Sequence, residues 1–234
     1  MKLIGLLGGT SWPSTIQYYQ LINQLVAQKE GGYHSARLLL KSIDYHEIKS
    51  NYGPGWDKIP GLLKAEINEF MECRPDCLIL CNNTLHKAYD TIADELALPV
   101  PFFHAVHLTA DFAKEKKYRN LLLLGTKFTM EDGFFTRILE NAGLTVSIPT
   151  LPERDAIQKI QMRLSAGEMD ESFSHFFYEL IGKYSNMDAV ILACTELPLA
   201  IDASHCPIPI INPAELQCLK ACEFALASEL ALAS

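Results

Sequence analysis

Seven cysteines, at positions 73, 77, 81, 194, 206, 218 and 222, are this chain's candidates for proton transfer and nucleophilic chemistry. Cys194 follows the apolar run Ala189–Ala193 and precedes Thr195-Glu196. A thiol between a buried strand and a helix start faces backbone N–H groups, which favour its thiolate. The same position also suits an inert packed cysteine. Cys81 closes a second apolar run, Cys77–Cys81, ahead of Asn82-Asn83-Thr84. An odd cysteine count reads as free thiols in an intracellular chain. Cys73, Cys77 and Cys81 are four apart, as are Cys218 and Cys222, but Arg74-Pro75 interrupts any helix at the first set and no CxxC or HxxxH accompanies either. No metal site is expected from that pattern.

The elements that must carry these residues alternate. Leu3–Leu7, Ala36–Ile43, Cys77–Cys81, Asn120–Leu124, Thr145–Ile148, Ala189–Ala193 and Ile208–Ile211 read as strands, mostly short continuous apolar runs. Helices are expected after Ser11 or Ser14, either of which can cap, and over Leu62–Met71, Thr84–Leu96, His107–Lys116, Met130–Ala142, Arg154–Ser165, Asp170–Lys183 and Ala214–Ala227. Gly8-Gly9 reads as a tight turn, Asn51–Gly55 as a loop, and Gly143 as a helix-ending glycine. The repetitive C-terminal Ala-Leu-Ala-Ser-Glu-Leu-Ala-Leu-Ala-Ser reads as a frayed helix end. Strands alternating with helices imply parallel sheets covered on both faces, with ligands outside the carboxyl ends of the strands.

The cycle repeats. Ile4–Thr10 resembles Leu122–Thr126, and Leu78–Thr84 resembles Val190–Glu196; Gly8 to Asn82 spans 74 residues and Gly125 to Cys194 spans 69. Two similar motifs, in order and at near-equal spacing, favour duplication. The expected architecture is α/β with two pseudo-symmetric lobes, residues 1–98 plus 207–234 and residues 99–206. Each lobe is a mainly parallel sheet flanked by helices, with the site in the cleft between them.

Composition limits the partners. Apolar residues make up 49 % and charged residues 21 % of the 234, as in an ordinary soluble globule. The net charge of −8 disfavours nucleic acid; the basic stretch Lys114, Lys116, Lys117, Arg119 is broken by Glu115 and reads as a solvated helix end. No apolar run reaches membrane-spanning length, and Met1-Lys2-Leu3-Ile4-Gly5 enters a glycine turn without a signal-peptide core. A cytoplasmic protein without membrane partners is expected.

Gly5–Thr15, Tyr18-Tyr19, Ile22-Asn23, Ser42–Tyr45, Asn83–Lys87, Gly125–Met130 and Cys194-Thr195-Glu196 together resemble the aspartate/glutamate racemase superfamily, and most of all its broad-specificity amino-acid racemases. The resemblance runs in order from Met1 to about Ala227. It implies two α/β lobes with the site between them, no pyridoxal phosphate, no metal and a homodimer. It also implies two cysteines, one per lobe, that remove and return the α-proton of a small amino acid. An α-proton beside a carboxylate is barely acidic, so donors aimed at that carboxylate must stabilise the carbanion. The candidates are Thr10, Ser11, Asn83, Thr84, Thr126 and Thr195, with Tyr52 and Glu196 as further substrate contacts; turn and cap chemistry is the plainer role for Ser, Thr and Asn.

The chain departs from that pattern at one catalytic slot. The residue before Asn83-Thr84 is Asn82, where the family places Cys or Thr. Cys81 is one residue early, which on a strand turns it to the other face and into packing. Asn82 offers an amide but no base. Tyr52 brings a ring with a hydroxyl tip where a cation would grip a second carboxylate. Lys159 reads as a surface lysine, and His107, at a helix start, as a surface histidine. The favoured function is cofactor-independent amino-acid racemisation or epimerisation with Cys194 as acid/base and Asn82 orienting a water or the substrate. A single-cysteine decarboxylase or isomerase of a small carboxylic acid, and a silent carboxylate-binding protein of the same fold, are the alternatives.

Overall fold

The computed structural model describes residues 1–227 and divides into two compact units, Met1–His104 with Ala214 onward, and Ala105–Pro213. Residues 101–103 lie with the first because Leu78 N donates to Pro101 O and Phe103 N donates to Leu78 O, extending the sheet edge. The expected frayed C-terminal helix end from Ser228 lies outside the described residues.

The first unit runs β1 (Ile4–Gly8), α1 (Trp12–Glu30), β2 (Leu38–Ser42), α2 (His46–Ser50), α3 (Ile59–Met71), β3 (Cys77–Leu80) and α4 (His86–Leu96), and is completed by α10 (Pro213–Leu226). Its parallel sheet has the order β2-β1-β3. The central strand is buried along its whole length, as a parallel strand with helices on both faces must be. Leu7, Leu78 and Leu80 pack with Leu63, Ile67 and Phe70 of α3 and with Ala88 and Ile92 of α4. On the other face Tyr18 of α1 donates to Gln217 Oε1 of α10 at 2.8 Å, and Gln217 Nε2 donates to Phe103 O at 2.8 Å. Gln217 is fully buried, so these bonds satisfy an amide that would otherwise be costly there.

The second unit runs α5 (Ala105–Glu115), β4 (Asn120–Leu124), α6 (Lys127–Glu131), α7 (Phe134–Asn141), β5 (Thr145–Ser147), α8 (Leu151–Ser165), α9 (Glu171–Lys183), β6 (Ala189–Leu192) and β7 (Ile210–Ile211). Its parallel sheet has the order β5-β4-β6-β7. The first strand of each unit is thus flanked by the second and third, the topology expected of the sequence repeat. Leu122, Leu124, Val190 and Leu192 pack against Ile157, Phe173, Phe177 and Ile181 of α8 and α9.

Two expectations are corrected. The helix read over Met130–Ala142 is two helices, because Asp132-Gly133 breaks it with Gly133 at φ +83°. The stretch between the second strand and the Asn51 loop holds a helix, α2, too short to show a period. Gly143 follows α7 at φ +85° and donates to Glu140 O, as a helix-ending glycine should.

Among the polar residues, Glu153 anchors the start of α8. Partial burial works against its carboxylate, but hydrogen bonds from Thr150 Oγ1 and N, Tyr184 Oη and Lys183 Nζ hold it down to about 2. A carboxyl whose folded value is depressed stabilises the fold above its unfolded value and loses that contribution as pH falls toward the folded one. The melting temperature of the native chain should therefore fall between pH 4.5 and 2 by several degrees more than that of Glu153→Gln, measured by circular dichroism.

Candidate active site

The site residues of the first unit follow β1 and β3. Gly9 sits at φ +89°, and a Cβ there would lie 2.3 Å from Ile43 O, so the turn after β1 requires glycine. Gly9 N donates to Thr15 Oγ1 at 3.0 Å, and Thr15 Oγ1 donates to Ser11 O at 3.0 Å. Ser11 takes the N-cap position of α1 with an extended backbone, yet its hydroxyl makes no capping bond. Ser14, the other expected cap, is buried with its hydroxyl unpartnered. Thr10 Oγ1 donates to Cys81 O at 3.2 Å and ties the end of β1 to the end of β3.

Cys81, Asn82 and Asn83 have three different fates in three consecutive positions. Cys81 is fully buried, and burial pushes its thiol far above the ordinary range. Asn82 is half-buried; its Oδ1 accepts from Leu85 N at 2.8 Å and its carbonyl accepts from His86 Nδ1 at 2.7 Å. Only the Asn82 amide N–H group is left for a ligand or water. Asn83 is 5 % exposed, and neither its Oδ1 nor its Nδ2 has a hydrogen-bond partner. A buried amide without partners costs about 1–3 kcal/mol of lost hydration by mutational measures.

Around Thr84 the structure gathers aromatic rings and cations. Tyr52 is hydrogen-bonded to Thr84, and its hydroxyl lies 2.5 Å from that of Tyr45. Burial, and then Tyr45, push the Tyr52 phenol far above its usual range, so it stays protonated. Its ring meets Trp56 edge-on at 5.2 Å. Lys49 Nζ lies 4.4 Å over the Tyr52 ring and Lys87 Nζ 4.4 Å over the Trp56 ring. Sequence alone does not single out either lysine: Lys49 lies in α2, too short to show a period, and Lys87 belongs to the first turn of α4, where type and spacing do not distinguish it from a solvated lysine.

In the second unit, Cys194 and Glu196 follow β6 and are each 5 % exposed. Cys194 Sγ donates to Glu196 Oε2 at 2.9 Å, and Thr195 Oγ1 donates to the same oxygen at 3.2 Å. Cys194 therefore differs from Cys81 in having a carboxylate within reach of its proton. Thr126 is the N-cap of α6: its Oγ1 accepts from Thr129 N at 3.2 Å, the capping role open to it from the outset. His107 on α5 and Lys159 on α8 are exposed.

Comparisons with known proteins agree with the family and with the parallel α/β fold. The profile of the Asp/Glu/hydantoin racemase family matches residues 7–221. Over 97 % of its length the chain is similar to the crystal structure of a putative Asp/Glu racemase from Yersinia pestis, at 33 % identity, TM-score 0.86 and with all of that chain covered. It is similar to an aspartate racemase homologue from Pyrococcus horikoshii at 29 % identity and TM-score 0.84, covering 97 % of this chain and 100 % of that one. An arylmalonate decarboxylase shares the fold at 10 % identity and TM-score 0.56, over 97 % of this chain and 93 % of that one. Among the described residues no helix is long and apolar enough to cross a membrane.

Proposed function

Because the chain belongs to the Asp/Glu/hydantoin racemase family, we propose that it racemises or epimerises a small amino acid by exchanging the α-proton, with Cys194 as the acid/base. The observation that carries this reading is the contrast between Asn83, a buried amide with nothing to bond, and Cys194, a buried thiol already bonded to a carboxylate. Glu196 accepts the Cys194 proton. We give it that role rather than substrate contact, since a second buried carboxylate would repel the substrate's own. The thiolate then takes the α-proton: the Cα–H bond breaks, an S–H bond forms, and the electron pair spreads onto the substrate carboxylate. Donors from the side chains of Asn83 and Ser11 and from the backbone N–H groups of Thr10, Thr84, Thr126 and Thr195 offset that charge. A water held by the Asn82 amide delivers a proton to the opposite face, and the hydroxide left behind is neutralised by the Cys194 proton through solvent.

Lys49 over the Tyr52 ring and Lys87 over the Trp56 ring put positive charge near Thr84, which favours a substrate with a second carboxylate although Tyr52 itself brings no cation. The seven free thiols suit a reducing cytoplasm, and the homodimer implied by the family resemblance is part of the same proposal. The test is proton NMR of aspartate, glutamate and neutral amino acids incubated with the protein in D₂O. Loss of the α-proton signal with inversion supports the racemase. Asn83→Ala should raise the KM for that exchange by about tenfold or more, the effect of one lost hydrogen bond to a charged group.

A single-cysteine decarboxylase is the second reading, and the sealed Cys81 beside Asn82 favours it, because the first unit then offers no strand-end thiolate. Loss of a carboxylate from malonate-type acids, without α-exchange of amino acids, selects that reading. Ligand-induced stabilisation with neither reaction selects a silent binding protein.

A further inference from the structure

His86 is fully buried in the first turn of α4, and the proposed reaction makes no use of it. Its Nδ1 lies 2.7 Å from Asn82 O. A carbonyl oxygen only accepts, so Nδ1 carries the proton, and in the neutral ring Nε2 keeps the lone pair. The other side of the ring agrees. Gln217 Oε1 accepts from Tyr18 Oη at 2.8 Å, and Gln217 Nε2 donates to Phe103 O at 2.8 Å. Those two bonds fix which end of the amide is nitrogen. The same Nε2 lies 3.4 Å from His86 Nε2 and 3.4 Å from Leu80 O. A proton on His86 Nε2 would set one N–H against another, so Gln217 reinforces the tautomer that Asn82 O selects. The rings of Phe102 and His104 flank the His86 ring at centroid distances of 5.6 and 4.5 Å.

The His86 bond decides where the peptide group after Asn82 points. Asn82 N donates to Leu80 O, Asn82 Oδ1 accepts from Leu85 N, and Cys81 O is held by Thr10 Oγ1. The Asn82–Asn83 peptide is planar and trans, so with its C=O turned to His86 its N–H turns the opposite way. Asn83 N–H donates to no group among the described residues, and the Asn83 side chain, buried beside it, has no partner either. This peptide group is fixed by its oxygen, and its donor is unspent.

We propose that His86 is a positioning residue for the reaction: by holding Asn82 O it aims the Asn83 N–H at the substrate carboxylate, as a further donor beside the Asn83 side chain. Charge on that carboxylate grows as the α-proton leaves, so a fixed N–H stabilises the transition state more than the bound substrate. A peptide group free to swing would have to reorient as that charge forms, and the His86 bond removes that cost. The Tyr18–Gln217 pair acts one step further back, by keeping the His86 proton on Nδ1. This inference rests on the α-proton reading, and its experiment keeps the two apart.

Nitrogen NMR of the native chain, isotope-labelled at histidine, should show His86 near neutral pH with a protonated Nδ1 and a bare Nε2. A proton on Nε2 alone, or on both nitrogens, overturns the proposal, and this arm needs no variant to fold. His86→Asn puts an amide nitrogen where Nδ1 stands and keeps a donor for Asn82 O. His86→Gln carries its amide out to the Nε2 end, and His86→Phe keeps only a ring. For α-proton exchange in D₂O, kcat should fall about 10- to 100-fold in the Gln and Phe variants while KM rises less than about threefold, and His86→Asn should stay within about threefold of the native kcat. Equal losses in all three variants, or a native kcat in His86→Phe, overturn the proposal. A native chain that exchanges no α-proton sinks the racemase reading by itself, and titration with malonate then decides the positioning. The Asn83 amide proton should shift in the native chain and in His86→Asn and stay in place in His86→Phe. An Asn83 signal that malonate leaves unmoved in the native chain overturns the positioning as well.

Discussion

Replacing Cys194 with alanine should lower α-proton exchange by about 10²- to 10⁴-fold, the usual worth of a positioned acid/base. The sulfur is the atom that donates to Glu196 Oε2 at 2.9 Å, and the proposal makes it the group that takes the α-proton. Cys194→Ser keeps the hydrogen bond to Glu196 but replaces the thiol with an alcohol that does not ionise in water near pH 7, so it should be as inactive as the alanine variant. That pairing separates acid/base chemistry from packing, because serine restores the contact and not the proton transfer. Both variants should still show substrate-induced stabilisation in a thermal melt, since the carboxylate donors that follow β1 and β3 are untouched. Exchange at the native rate in Cys194→Ala would overturn the assignment.

The converse gain is expected at position 82. Asn82→Cys puts a thiol where the native residue has only an amide, on a half-buried site unlike the sealed Cys81. Inversion relative to simple exchange should rise on the order of a hundredfold, followed by circular dichroism of the amino acid alongside the NMR exchange rate. The substitution also removes the Asn82 Oδ1 bond to Leu85 N in the turn before α4, a hydrogen bond whose loss costs about 1 kcal/mol and lowers the melting temperature by about 2–4 °C. A variant that loses this stability without gaining inversion places position 82 away from the substrate. Cys81→Ala serves as control and should leave the exchange rate unchanged.

Much of this was legible from residue types alone. Leu121–Leu124 and Val190–Leu192 are continuous apolar runs too short for helices, and they form buried parallel strands. The Gly8-Gly9 turn, the helix-ending Gly143 and the strand-end motifs were equally local. Where reading failed, the cause was also local: the α6–α7 break at Asp132-Gly133 interrupts a pattern whose apolar residues stay in phase, and α2 is a single turn. Thr126 illustrates a residue whose type permits two roles, and only its bonds to Thr129 show that it caps.

By itself the sequence determined the alternation of strands and helices, the duplication and the family, because each depends on spacing along the chain. The tertiary structure alone decided which thiol is sealed and which is bonded to a carboxylate, that the Asn83 amide has no partner, and that Tyr18 and Gln217 meet across 199 positions. Burial and hydrogen-bond partnership depend on what other segments bring to a point in space. A strand's apolar period predicts that it will be covered, and carries no information about which groups will cover it.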